Sequence, residues 1–165
     1  MQNITKKLAD NLGGNFNLWF VPINEIEEYP QRTAKTLSIN AEITTTNGWY
    51  VFDFIRQSLI GDETEKKDGN QSVYDHLIDG FINSSDEGLL LQFEVMAKLR
   101  FIILRRNANG EIKMHGTPKQ PLQFSYKHSS KIRHSDLAGI DFKFFGTTTK
   151  QSLFYRGTIT EHVNA

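Results

Sequence analysis

The sequence predicts a mainly β protein, an antiparallel sandwich or barrel, and three observations carry that reading. Aromatic residues are abundant, with 12 Phe, 5 Tyr and 2 Trp in 165 residues, and such side chains suit pleated surfaces. Apolar residues recur with period two in a series of short runs separated by turn residues. Residues 101–116 also hold the parts of a complete hairpin. Phe101-Ile102-Ile103-Leu104 is continuously apolar, as in a strand covered on both faces. Arg105 and Arg106 lead into Asn107-Ala108-Asn109-Gly110, where a type I turn with Gly110 in the left-handed region suits a four-residue loop. Residues 111–115 then return with Ile112 and Met114 on one parity.

In chain order, residues 1–14 form a flexible N-terminal arm ending at Gly13-Gly14. Residues 16–21 form a strand, with Phe16, Leu18 and Phe20 on one face and Trp19 and Val21 on the other. Pro22 ends it. Residues 23–29 form either one helical turn or a solvated acidic loop before Pro30. Leu37, Ile39, Ala41 and Ile43 share a parity, and Asn47-Gly48 is a turn. Beyond it Tyr50, Phe52 and Phe54 alternate with Trp49, Val51 and Ile55, Asp53 interrupting the latter face. These two runs predict a hairpin across Asn47-Gly48. Residues 61–71 are the most polar stretch and predict an exposed loop. Residues 72–82 read as a strand, although Leu77, Ile78, Phe81 and Ile82 also fit helical spacing.

Residues 86–100 carry two conflicting signals. Ser84-Ser85-Asp86-Glu87 contains a Ser-x-x-Glu capping box, yet Leu91, Phe93, Val95, Ala97 and Leu99 alternate as in a strand. An uninterrupted strand to Leu104 would be unusually long, so the expectation leans to a short helix around 86–98 followed by strand. Residues 116–121 form a rigid turn, and Leu122, Phe124 and Tyr126 share a face of the next strand. Residues 129–136 connect it to a strand at 140–145. A turn at 146–149 and a last apolar segment, Leu153-Phe154-Tyr155, follow. The organisation is one domain over 15–156 and a C-terminal tail at 157–165, without internal repeats.

Balanced charge, 19 Lys+Arg against 19 Asp+Glu, gives no bulk attraction to nucleic acid or an acidic membrane. The absence of cysteine excludes disulfides and thiolate metal sites. No apolar run reaches signal-peptide or spanning length, so the expectation is an unexported protein without membrane partners.

Motifs that carry chemistry are missing: no phosphate-cradling Gly-Lys-Ser/Thr loop, no Gly-x-Ser-x-Gly elbow, no His-Glu-x-x-His. His128, His134 and Asp136, with His115, have the chemistry of a divalent-cation site, but their spacing matches no compact one. Asp75, His76 and Asp79 have acid–base character without a cleft to converge in. No catalytic, cofactor or metal residue is therefore assigned, and an enzyme is not expected. A rival reading is a β-barrel module for single-stranded nucleic acid or another ligand. Its basic residues would be Lys98, Arg100, Arg105, Arg106, Lys113, Lys119, Lys127, Lys131 and Arg133, interleaved with Phe124, Tyr126 and Phe142. Phe124 and Tyr126 share a face with Leu122, which favours the core for them.

Arg100-Phe101-Ile102-Ile103-Leu104, Asn109-Gly110, Met114-His115-Gly116-Thr117-Pro118 and Pro121-Leu122-Gln123-Phe124-Ser125 form a strand–turn–strand–bend–strand series. Together with residues 139–146 and Phe154-Tyr155, this series resembles small structural proteins of tailed phages and phage-derived tail-like particles. The resemblance covers roughly the second half of the chain and brings no functional residues with it. It implies a non-enzymatic subunit of a phage tail, tail tube or contractile injection system. Such a subunit would assemble in the cytoplasm with copies of itself in a ring or tube, and with other structural proteins, before residing in the virion or particle. The 1–14 arm, the 61–71 stretch and open strand edges would supply the contacts.

Overall fold

The computed structural model describes residues 1–4, 17–32, 36–52, 59–84, 86–107, 109–129 and 139–164. In chain order the elements begin with β1 (Leu18–Pro22), a 3₁₀ turn (Ile23–Glu25), β2 (Ile26–Glu28), β3 (Ser38–Ile39), β4 (Thr44–Thr45) and β5 (Tyr50–Phe52). The long strands β6 (Ile60–Asp68) and β7 (Gln71–Ile82) precede the helix α1 (Glu87–Met96). Then come β8 (Arg100–Arg106), β9 (Ile112–His115), β10 (Leu122–Ser129), β11 (Gly139–Thr148) and β12 (Leu153–Tyr155).

Ten strands share one sheet in the order β3-β12-β9-β8-β10-β11-β7-β6, with β1 paired to β8 and β5 to β1. The β12–β3 pair is parallel and the other pairs are antiparallel, so the sheet is mixed. β8 and β10 share only the pairs Leu122↔Phe101 and Gln123↔Arg100. At this joint the sheet folds over itself. Phe52 then meets Phe142 at 4.2 Å between ring centroids, and Phe101 meets Phe144 at 5.7 Å. The result is sandwich-like, and β3 and β6 leave it open rather than closed as a barrel.

The inner core lies between the two layers. Phe20, Phe52, Phe101 and Ile103 from one layer face Ile78, Phe124, Phe142 and Phe144 from the other. A second cluster, including Trp19, Ile102, Leu104, Met114 and Tyr155, covers the opposite side of β1 and β8. Phe101, Ile102, Ile103 and Leu104 are consequently all buried, which is why that run has no polar parity. Each such side chain contributes about 1.5–3 kcal/mol of burial. Phe93 and Met96 of α1 plug the inner core, with Phe93 5.1 Å from Phe124 between ring centroids.

The β8–β9 hairpin forms as the sequence predicts: Arg106 pairs with Ile112, and Gly110 has φ +83°. The helix at 86–98 also forms, but its N-cap is Asp86, whose side chain accepts from the Gly88 amide. Ser84 is thus not the cap. Other expectations fail. The hairpin across Asn47-Gly48 is absent because β5 pairs with β1, and β3 with β12. Residues 53–55 of that expected hairpin lie outside the described residues.

Residues 61–71 are not a loop. All of β6 pairs with β7 from Ile60↔Asp79 to Asp68↔Gln71. The charges remain solvated on an edge strand, and Gly69, φ +62°, takes the first position of a two-residue turn. Nor does 146–149 turn at once, since Gly146, Thr147 and Thr148 extend β11 against β7. At the N-terminus, Ile4 is buried and its amide donates to the Val51 carbonyl, so residues 1–4 dock on their own chain. Residues 5–14 of the expected arm lie outside the described residues. The C-terminal stretch is anchored too: Trp49 and Thr160 share a backbone hydrogen bond, and the Trp19 indole N–H donates to Glu161.

Candidate functional site

The inward face of β7 carries His76, Ile78, Gly80 and Ile82, all buried. The inward face of β11 carries Ile140, Phe142, Phe144 and Thr148. Moving along both strands toward Thr148, the apolar side chains give way to His76 and the threonine. β9, in the facing layer, brings His115 to the same end through the pair Ile103↔His115. β6 adds Glu63, directly opposite His76. Four strands thereby converge on one polar cluster at the margin of an aromatic core.

His76 Nδ1 lies 3.1 Å from His115 Nδ1 and 3.5 Å from Glu63 Oε2. Its other nitrogen, Nε2, is 2.7 Å from Thr148 Oγ1. The Thr148 hydroxyl is also 2.5 Å from the Lys150 carbonyl, a pure acceptor that claims the hydroxyl proton. Thr148 Oγ1 must then accept from His76 Nε2–H. In the neutral imidazole, His76 Nδ1 therefore carries a bare lone pair, and His115 Nδ1–H donates to it.

Burial holds the His76 pKa below its ordinary value despite the nearby Glu63 and Asp75 carboxylates. His115 is driven well below the usual range, chiefly by burial and also by His76, Arg105 and Lys113. Both rings are neutral at pH 7. This arrangement leaves two mismatches. A carboxylate oxygen of Glu63 faces the bare His76 Nδ1, and His115 Nε2 is buried without a hydrogen-bond partner among the described residues.

The surroundings are polar as well. The Ser152 amide donates to Glu63 Oε2 at 2.9 Å, while Ser152 Oγ is another buried atom without a partner among the described residues. Arg105 packs on Gly61, and Asp62 and Glu63 act electrostatically on its guanidinium. His76, Thr148 and Ser152 also line a cleft of about 820 Å³ that Tyr29, Arg32 and Lys119 border.

The residues singled out from sequence separate. His115 meets His76 rather than His128, which is exposed and pairs with Ile140, six residues along β11 from the position opposite His76. His134 and Asp136 lie outside the described residues. Asp75 and Asp79 point away from His76, on the other parity of β7. Asp75 accepts from Thr147 and pairs with Lys66. Of the proposed base-stacking residues, Phe124 and Phe142 are buried in the inner core. Arg106 lies over the Trp19 ring and Lys113 over the Phe154 ring, while Lys131 and Arg133 lie outside the described residues.

Glu63 was hidden within a polar run, and no local spacing joins it to His115. The available signal was His76 itself, a polar residue on the apolar parity of Ile78 and Ile82. No family model, curated protein or solved structure matches this chain.

Proposed function

We propose that the chain is a non-enzymatic structural subunit of a phage tail or related tube or ring assembly, joined to copies of itself along strand edges. The observation that carries this reading is the far end of the ten-stranded sheet. β6 is its terminal strand, nine residues long and paired only with β7 among the described residues. Among the described residues its other backbone edge has no strand beside it, which suits a further strand. The opposite terminal strand, β3, has two residues and offers no comparable edge.

The β6–β7 hairpin also outruns its support. β11 follows β7 as far as Thr148↔Tyr74, whereas β6 and β7 continue through Lys66↔Val73, Lys67↔Ser72 and Asp68↔Gln71. Those pairs project about 10 Å beyond the sheet. Lys66, Lys67 and Asp68 place both signs of charge on the projection, which disfavours unselective pairing and suits a partner of matching register. Ile60, at the opposite end of β6, and Leu77, across from Asp62, are exposed. A second copy laid along β6 would cover Ile60. The resemblance of the second half to tail proteins is the reason for a tube or ring rather than another assembly, and other particle proteins would be its further partners.

The test is electron microscopy and light scattering of the purified full chain at high concentration. Rings or tubes are expected. Deleting Lys66, Lys67, Ser72 and Val73 removes two cross-strand pairs while keeping strand parity and the Asp68–Gln71 turn. This variant is expected to retain its circular dichroism spectrum and remain monomeric. An intact chain that stays monomeric throughout would refute the proposal.

A further inference from the structure

We infer that Glu63, His76 and His115 form a binding site for a borderline divalent cation, Zn²⁺ by preference, midway along the β6–β7 hairpin. One ligand atom from each residue lies within 4.8 Å of the other two. Four-coordinate zinc with arms of about 2.0–2.1 Å separates its ligand atoms by about 3.3–3.4 Å. The observed 3.1 Å between the two Nδ1 atoms and 3.5 Å from His76 Nδ1 to Glu63 Oε2 bracket that spacing. Glu63 is the more exposed member of the pair, its side chain 21% exposed against 1% for His76, so its carboxylate can rotate toward His115 by giving up the Ser152 amide.

Protonation is arranged for the same purpose. The Lys150 carbonyl, Thr148 hydroxyl and His76 Nε2–H form a relay that keeps His76 Nδ1 deprotonated and fixes its ring, as partners of metal-bound histidines do. Binding requires His115 Nδ1 to release its proton to His115 Nε2, a tautomer exchange that leaves the ring neutral. A cation between Glu63 Oε2 and His76 Nδ1 converts two facing lone pairs into two donor bonds. Imidazole and carboxylate donors suit Zn²⁺ better than Mg²⁺ or Ca²⁺. The cleft reaching His76 gives water access to a fourth position. Arg105 retains Asp62 as a counter-charge when Glu63 turns to the ion. The site would tie β6 and β7 to β9 in the facing layer, and it does not depend on self-assembly.

The test uses the full chain stripped with a chelator and titrated calorimetrically with Zn²⁺, with Co²⁺ absorption as a coordination probe. One Zn²⁺ per chain is expected, with a four-coordinate Co²⁺ spectrum. Glu63→Gln keeps a partly exposed side chain of the same shape and is expected to weaken Zn²⁺ at least 10-fold. His115→Gln is expected to abolish stoichiometric binding, and His128→Gln to leave it unchanged. If His115→Gln fails to fold, Glu63→Gln decides. Absence of binding at micromolar Zn²⁺, or undiminished affinity in folded Glu63→Gln, would overturn the inference, as would loss of the site on His128→Gln.

Discussion

Replacing His115 with leucine separates a structural histidine pair from a metal-binding one, because the two roles give opposite dependences on zinc. Without metal, His115→Leu deletes the hydrogen bond to His76 Nδ1, of 3.1 Å and worth about 1 kcal/mol. It also leaves that nitrogen unpaired, at about 1–3 kcal/mol. In return it removes the orphaned His115 Nε2, which costs a similar 1–3 kcal/mol, and substitutes an apolar side chain of comparable size. These terms nearly cancel, and the stability change in chelator is expected to fall within about 1.5 kcal/mol of zero. With zinc at 100 times its dissociation constant, the wild-type chain gains about 2.7 kcal/mol. The variant has lost an imidazole ligand and gains little. The difference between the two chains should therefore widen by roughly 2–3 kcal/mol on adding zinc. Urea denaturation followed by circular dichroism, with chelator and with zinc, measures this. Any packing defect is present in both conditions and drops out of the comparison. Equal destabilisation in both, or an equal zinc gain in both chains, would refute the reasoning.

Two glycines should respond very differently to alanine. A Cβ on Gly139 would sit 2.2 Å from the Ile82 carbonyl oxygen, so Gly139→Ala must part β11 from β7 and is expected to cost about 2–4 kcal/mol in thermal or urea unfolding. Gly110 has φ +83° and no described atom within 4 Å of an added Cβ, so Gly110→Ala meets mainly backbone strain, about 1 kcal/mol; equal losses at the two sites would contradict this. Phe52→Ala opens a cavity where Phe20, Phe93, Phe142 and Phe144 meet, with an expected loss of about 3–5 kcal/mol; a loss under 1 kcal/mol would show that the layers do not close on this ring. Burial and the Glu25 carboxylate push the Tyr50 pKa up to about 12 from 10.0. The unfolded chain thus releases this proton first, so stability falls as pH rises from 10 to 12 and is unaffected by this group below 10. Tyr50→Phe should reduce that alkaline decline in melts across the window, and an unchanged decline would refute the assignment.

The parts of the fold legible in the sequence are those fixed by neighbours along the chain. The β8–β9 hairpin is specified by its own turn, including the left-handed Gly110, and β8 by an apolar run that only two-sided burial explains. Helix α1 was legible because alternation running unbroken from Leu91 to Leu104 would make too long a strand, although the cap is Asp86 rather than the Ser84 of the Ser-x-x-Glu pattern. Partner choice was not legible. The alternating stretch around Leu37–Ile43 and the strand after Asn47-Gly48 look like a hairpin, yet β5 finds β1 and β3 finds β12. Alternation records which face is buried and carries no information about which strand lies alongside. The charged stretch beginning at Gly61 was misread for a related reason. A terminal strand needs only one backbone partner, and its side chains can stay in water on both faces.

The polar cluster was invisible for a different reason. His76 and His115 are 39 residues apart, and Glu63 joins them only because β6 pairs with β7 in one register. His115 shares sequence parity with Lys113, which marks it as outward. It is buried because β9 is covered on both faces at this end, with Met114 packed into one cluster and His115 turned toward the other side. This placement has a mechanical consequence for the projecting hairpin. The inward aromatic contacts of β7 and β11 end near Ile78 and Phe144, before the strands leave the sheet. From there toward the tip, the polar contacts from the hairpin across to the facing layer include His76 to His115 and the Ser152 amide to Glu63. The orientation of β6 relative to the facing layer is therefore fixed in part by short polar contacts of defined geometry.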